Sequence, residues 1–164
     1  MRRLGWACML ASALVAVAVS GCATVAQRLD DAYAPSATLY VAPFVDFTGQ
    51  RGGVDLMVAL QNHIYRAAPQ RFSYVFDEAA LCIDGTVHSV DVRAEADALR
   101  VTVEVSAVLL RHDGTVVRDL GTVLRERVFR ALPSRGQNNE RQRRVLRVLW
   151  QDVAEELLNR LAQP

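Results

Sequence analysis

Leu99-Arg100-Val101-Thr102-Val103-Glu104-Val105-Ser106 alternates apolar and polar side chains without a break. Period two over such a run marks a strand with one face buried and the other wet. His112-Asp113-Gly114-Thr115 follows, and Asp-Gly between two β-rich runs is a strong hairpin signal. The return strand is expected over Val116 to Phe129, and another strand before the pair over Leu81 to Val90. Asp91 to Asp97 reads as the loop between them.

Beyond the loop Leu132-Pro133-Ser134-Arg135-Gly136, a long helix is expected from near Asn139. Val145, Leu149, Val153, Leu157 and Leu161 line one of its sides, reinforced by Leu146, Trp150 and Leu158. On the N-terminal side, Leu39 to Phe44 reads as a first strand that ends at or just after Pro43. After the loop Phe47 to Gly53, Val54, Leu56, Met57, Val58, Leu60, Ile64 and Tyr65 have helical spacing, and Pro69 stops that helix. Phe72 to Phe76 reads as a short second strand. The order is β-α-β-β-β-β-α, which predicts an α+β two-layer sandwich: a mixed sheet with two helices on one face. One domain, residues 38–164, accounts for it.

The first residues serve another purpose. Met1-Arg2-Arg3 is basic, and Leu4 to Val19 is uncharged and rich in Leu, Ala and Val. That is the shape of an export signal, somewhat short for a bilayer span of roughly 20 apolar residues. Val19-Ser20-Gly21-Cys22 closes it and resembles the lipobox of bacterial lipoproteins. An ordinary signal peptide or an uncleaved anchor is the blander reading. The expectation is a signal peptide over residues 1–21, a lipidated Cys22 and a tether to residue 37. Ala23 is not the Asp that retains many lipoproteins at the inner membrane, so by that resemblance the destination is the outer membrane.

Removing Arg2 and Arg3 from the 19 basic residues leaves one fewer than the 18 acidic ones. A balance so close to neutral argues against a general polyanion-binding protein, and no nucleic acid partner is expected. Every basic residue is Arg, so any anion contact uses planar, bidentate guanidinium groups. Cys8 leaves with the signal, and lipidation of Cys22 makes Cys82 a lone thiol in an apolar stretch, where it serves as a small hydrophobe. His63, His88 and His112 have no partner at metal-ligand spacing, and no nucleophile elbow or phosphate loop is present. Asp84, Asp91, Glu95 and Asp97 are acids near one another in sequence, the last three read as solvated. These patterns point to no catalytic residue, metal or cofactor, and disfavour an enzyme. Gly52-Gly53 offers backbone N–H groups to an anion, or simply starts a helix.

One charge cluster stands out. Arg125, Arg127, Arg130, Arg135, Arg141, Arg143, Arg144 and Arg147 crowd the end of the last strand and the start of the last helix, offset there by Glu126 and Glu140. Arg125 and Arg127 share one face of the strand, with Glu126 between them on the other. The cluster is either a phosphate-binding surface or a solvated face balanced by acids such as Asp152, Glu155 and Glu156.

The lipobox at Cys22, the stretch Leu39 to Gly49, the helix with Leu56 and Leu60, the strand Ile83-Asp84-Gly85-Thr86-Val87 and the closing helix around Asp152 to Leu157 together resemble the LptE family of lipopolysaccharide-assembly lipoproteins. The chain departs from the family pattern just after the cysteine, at Ala23-Thr24-Val25-Ala26-Gln27. The resemblance implies a non-catalytic lipoprotein on the periplasmic side of the outer membrane, the partner and plug of an LptD-like β-barrel that places lipopolysaccharide in the outer leaflet. It also implies lipopolysaccharide binding, for which Arg125, Arg127, Arg130 and Arg135 are the physical candidates, facing lipid A phosphates. Two other readings share the lipobox: an auxiliary lipoprotein of an ABC-type lipid transporter, and an activator of a cell-wall synthase.

Overall fold

The computed structural model describes residues 33–34 and 37–163; the signal segment and Cys22 lie outside the described residues. In chain order the elements are β1 (Leu39–Val41), β2 (Val45–Asp46), α1 (Gly52–Ala67), β3 (Leu81–Glu95), β4 (Ala98–Arg111), β5 (Val116–Arg130) and α2 (Arg135–Leu161). Short 3-10 turns at Pro69–Arg71 and Phe76–Glu78 join α1 to β3. The sheet runs β1-β3-β4-β5, with β2 also parallel to β3 and the three long strands antiparallel, so it is mixed. The α+β class and the two helices packed together over one sheet face agree with the period signals.

β4 is the spine. Its helix-facing residues Val101, Val103, Val105, Ala107 and Leu109 are all buried. Each large apolar side chain buried this way contributes about 1.5–3 kcal/mol. Leu56, Ala59, Leu60 and Ile64 of α1 and Leu149, Val153, Leu157 and Leu161 of α2 complete the core at helical spacing. A bulge at His88 keeps β3 in phase with β4: Val87 pairs with Val105, Ser89 with Glu104 and Val90 with Val103. The extra residue returns Val90 and Val92 to the core side.

Three local expectations change. Phe72–Phe76 is not a strand: Phe72 makes one isolated parallel bridge to Leu39, and a 3-10 turn begins at Phe76. The order is therefore β-β-α-β-β-β-α, with Pro43 dividing the first strand into β1 and β2. Asp91 and Glu95 belong to β3 rather than to a loop, because the bulge carries strand pairing on to Glu95–Ala98. Helix α2 starts at Arg135, ahead of Asn139.

The start of α1 is packed by backbone rather than by side chains. A Cβ on Gly53 would sit 2.3 Å from the carbonyl oxygen of Phe44, and one on Gly52 2.8 Å from the Trp150 ring. The helix lies against the strand at a distance only glycine permits. Asp46 then takes the N–H groups that the helix start leaves open: Gly53 N–H donates to Oδ2 at 3.1 Å, while the Thr48 N–H and hydroxyl donate to Oδ1 at 2.8 and 2.5 Å. Burial alone would raise the Asp46 pKa, but hydrogen bonds from Thr48, Gly53 and Gly52 outweigh it and hold the carboxyl below its usual range.

Two outcomes follow from this corner. Gly53→Ala should cost about 1–3 kcal/mol of stability by overpacking, read as a lower urea midpoint. Asp46 has a depressed folded pKa, so its contribution is present above the unfolded value of about 3.9 and is lost as pH falls through the folded value. Asp46→Asn should therefore lower the urea midpoint at pH 7, and the gap to wild type should close on acidification into that range.

Candidate functional site

Pairing with β4 places Val123, Arg125, Arg127 and Phe129 of β5 opposite Val105, Val103, Val101 and Leu99, on the helix-facing side. Leu124, Glu126, Val128 and Arg130 take the open side. Arg127 donates from Nε and Nη2 to Asp152 Oδ2 at 3.1 and 2.8 Å, and Arg125 Nη2 donates to Glu156 Oε2 at 2.9 Å. Two residues along a strand advance about 6.7 Å and four along a helix about 6 Å, so an antiparallel strand and helix pair in step. Arg160, one turn further along α2, bonds Glu156 Oε1 at 2.9 Å and the carbonyls of Leu120 and Thr122 at 2.8 and 3.0 Å. Arg118 donates to the carbonyls of Arg160, Leu161 and Gln163 at the end of the helix.

The four arginines singled out from the sequence thus divide. Arg125 and Arg127 are engaged by two of the acids that the sequence offered as counter-charges. Arg130, the last residue of β5, and Arg135, the first of α2, are exposed. The loop between them is closed by Asn138, which accepts from Leu132 N–H at 2.7 Å and donates to its carbonyl at 2.8 Å.

Arg130 and Arg135 have neighbours of the same sign. Arg141 lies 5.7 Å above the Phe129 ring, a cation–π contact. Arg143 and Arg147 line a groove of about 480 Å³ between α1 and α2, with Asp55, Asn62, Trp150 and Gln151 also on its walls. Arg93 pairs with Asp91, Arg100 with Glu95 and Glu126, and Arg144 with Glu140 at 3.6 Å. Arg130, Arg135, Arg141, Arg143 and Arg147 form no ion pair with a carboxylate among the described residues, and neither do Arg51, Arg66, Arg111 and Arg118. Hydrogen bonds from Arg100 lead the causes that lower the Glu95 pKa. The first turn of α2 carries no acid, and Ser134 makes no side-chain cap, so the positive end of the helix adds to the same potential.

This basic end is one pole of an elongated domain. The Tyr33 hydroxyl donates to the Leu161 carbonyl at 3.3 Å, so the chain comes in from the N-terminus at the opposite end of α2. The 27 residues of α2 separate the poles by about 40 Å at 1.5 Å per residue.

The remaining candidates are dispersed. His63 bonds Gln151 at 3.0 Å, His88 bonds Ser106 at 2.7 Å, and His112 stacks on Phe76 at 4.9 Å between ring centres. No three His, Cys, Asp or Glu side chains converge among the described residues. Asp84 accepts from the Gly85 N–H at 2.7 Å. Cys82 is buried, and burial, with Asp84 nearby, pushes its thiol pKa up. The Gly52-Gly53 segment faces the Asp46 carboxylate, an internal anion that the sequence reading missed because the two lie on different elements.

The family model described as LptE, lipopolysaccharide-assembly, matches residues 36–161. No curated protein is significantly similar in sequence. Solved structures share the fold at low identity. A lipoprotein from Caulobacter crescentus is 15% identical, with a TM-score of 0.60 over 86% of this chain and 95% of that one. A minor lipoprotein from Acinetobacter baumannii is 14% identical, with a TM-score of 0.55 over 77% and 93%. The PelC dodecamer from Paraburkholderia phytofirmans is 16% identical, with a TM-score of 0.54 over 81% and 93%.

Arg125→Ala and Arg127→Ala test the ion pairs that join β5 to α2. Each should lower thermal stability by up to about 1 kcal/mol, the upper end for partly exposed pairs, and molar salt should shrink the difference from wild type.

Proposed function

Because the chain belongs to the LptE family of lipopolysaccharide-assembly proteins, whose model matches residues 36–161, we propose that it is a non-catalytic outer-membrane lipoprotein that partners an LptD-like β-barrel and binds lipopolysaccharide directly. In this reading Cys22 carries the lipid anchor on the periplasmic side. The observation that carries the binding role is the pole of arginines without carboxylate partners, which gathers guanidinium groups and a helix N-terminus about 40 Å from where the tether joins.

The phosphorylated head of lipid A suits such a surface: each phosphate accepts paired hydrogen bonds from guanidinium forks. Of the four candidate arginines, Arg130 and Arg135 are exposed and form no ion pair with a carboxylate, and they make the phosphate contacts. Arg125 and Arg127 act one step back, holding β5 to α2 so that the pole keeps its shape. The surface for a β-barrel partner is β5 itself. It has a single strand neighbour and shows Leu124 and Val128 on its open side, 58% and 52% exposed. Arg160 covers the carbonyls of Leu120 and Thr122, so the stretch of edge open to another chain is the later part of β5, up to Arg130; a strand edge with apolar side chains is a template for pairing.

Arg130→Ala with Arg135→Ala should weaken lipopolysaccharide binding about tenfold or more, given about 1.5–3 kcal/mol for a hydrogen bond to a charged group. The unfolding midpoint should stay within error of wild type. Unchanged affinity in the folded double variant would remove the phosphate reading. Purification from native membranes should recover a large β-barrel; recovery with inner-membrane ABC components would instead favour the lipid-transporter reading.

A further inference from the structure

At the pole opposite the arginines, Tyr74, Val75 and Phe76 are consecutive and exposed, 74%, 46% and 41% respectively. The segment is held in place. Ser73 N–H donates to the Leu39 carbonyl at 2.9 Å, and Ser73 Oγ donates to the Val75 carbonyl at 2.8 Å while accepting its N–H at 3.2 Å. Aromatic rings support it from beneath: Phe72 meets Tyr74 edge-on at 4.6 Å and Tyr65 at 6.4 Å, and Tyr40 meets Phe76 at 5.7 Å. Soluble surfaces scatter exposed apolar side chains singly; a fixed, contiguous aromatic group is a contact surface.

The incoming chain lies against this same segment. Arg71 Nη2 donates to the Tyr33 carbonyl at 3.4 Å. Thr38 Oγ1 donates to the Glu78 carbonyl at 3.0 Å and accepts the Ala80 N–H at 3.2 Å. The loop that carries the aromatics thus wraps the point where the N-terminal chain joins the domain. Residues 23–32 separate that point from Cys22, and ten residues span at most about 35 Å even fully extended. An acylated Cys22 would therefore hold this pole near the lipid surface at high effective concentration. Tyr and Phe favour the headgroup boundary, where an apolar ring body and, for Tyr, a polar tip are both satisfied.

We propose that Tyr74, Val75 and Phe76 insert into the headgroup region of the membrane that holds the acyl chains of Cys22, so that the domain stands on this pole with its arginine pole directed away. The inference rests on the reading of Cys22 as acylated, and the experiment separates the two.

The full chain, produced in a bacterium that processes it, is reconstituted into vesicles of phosphatidylethanolamine and phosphatidylglycerol. Tyr74→Trp, Val75→Trp and, as the distal control, Val128→Trp are made one at a time. Trp150, buried in the core, is the internal reference. Flotation with the vesicles reports the anchor; emission shift and quenching by lipids brominated near the headgroup report insertion. Flotation with blue-shifted, quenched emission at positions 74 and 75 but not 128 is the expected result. Flotation without quenching at 74 and 75 overturns the inference and leaves the acylated Cys22 standing. Failure to float refutes the anchor and the inference with it. A photocrosslinker at position 74 that labels a protein and no lipid in native membranes would also overturn the inference, assigning the patch to a protein partner.

Discussion

The seam between β5 and α2 is where this fold depends on charge rather than on apolar packing. β5 is an edge strand, and its helix-facing side carries Val123 and Phe129 with Arg125 and Arg127 between them. Two cations at positions that would ordinarily be apolar hold their place because Asp152 and Glu156 lie one helical turn apart on the facing side of α2. The matching advance of strand and helix sets the register. A slip of one residue along β5 would turn both guanidinium groups to the open face and leave two carboxylates without their partners. Partly exposed pairs of this kind add little net stability, but they oppose misregistration, a role attested for polar groups within otherwise apolar seams. Arg160 extends the seam through Glu156 and two β5 carbonyls, and Arg118 ties the strand to the end of the helix.

That seam makes a rod with two unlike ends. Packing is dense where α1, α2 and β1 to β4 meet, and the fully buried residues of α2 begin only at Leu149. Beyond it, the first half of α2, the last residues of β5 and the β3–β4 turn reach past the core as a basic arm. At the other end, the incoming chain, the α1–β3 loop and the β4–β5 hairpin gather aromatic side chains. The lipid-anchor reading and the phosphate reading therefore fall on opposite poles and do not compete for the same surface.

Much of this was legible in the sequence, for identifiable reasons. The unbroken alternation of Leu99 to Ser106 and the four-residue spacing from Val145 to Leu161 are signals of packing on one side, and both stretches formed as read, with α2 beginning earlier, at Arg135. Phe72 to Phe76 misled because aromatic and β-branched residues favour strands only when a partner backbone is at hand. Leu39 supplies one bridge, and the rings pack on one another instead. The bulge at His88 hid the full length of β3, since one extra residue breaks a period-two count that resumes at Val90. At the candidate site, alternation correctly put Arg125 and Arg127 on one face. Which face remained hidden, because Val and Leu occur on both sides of β5.

The arm itself is kept at a local energetic disadvantage. Arg143 and Arg147 stand four residues apart on α2, and Arg144 and Arg147 three, spacings at which like charges destabilise a helix by roughly 0.2–0.5 kcal/mol per pair. Arg135 lies in a first turn that has no acid, against the helix dipole, at a cost of about 0.3–1 kcal/mol. From Arg135 to Val148 no residue of α2 is fully buried to offset this; Val145 and Leu146 only lean against the core. The cost is instead borne by the apolar half of the helix from Leu149 onward. A helix shaped by stability alone would place Asp or Glu in that first turn. On the proposed reading, a bound polyanion would relieve both the repulsion between arginines and the uncapped helix end, so that part of the binding energy would come from strain the free protein already carries.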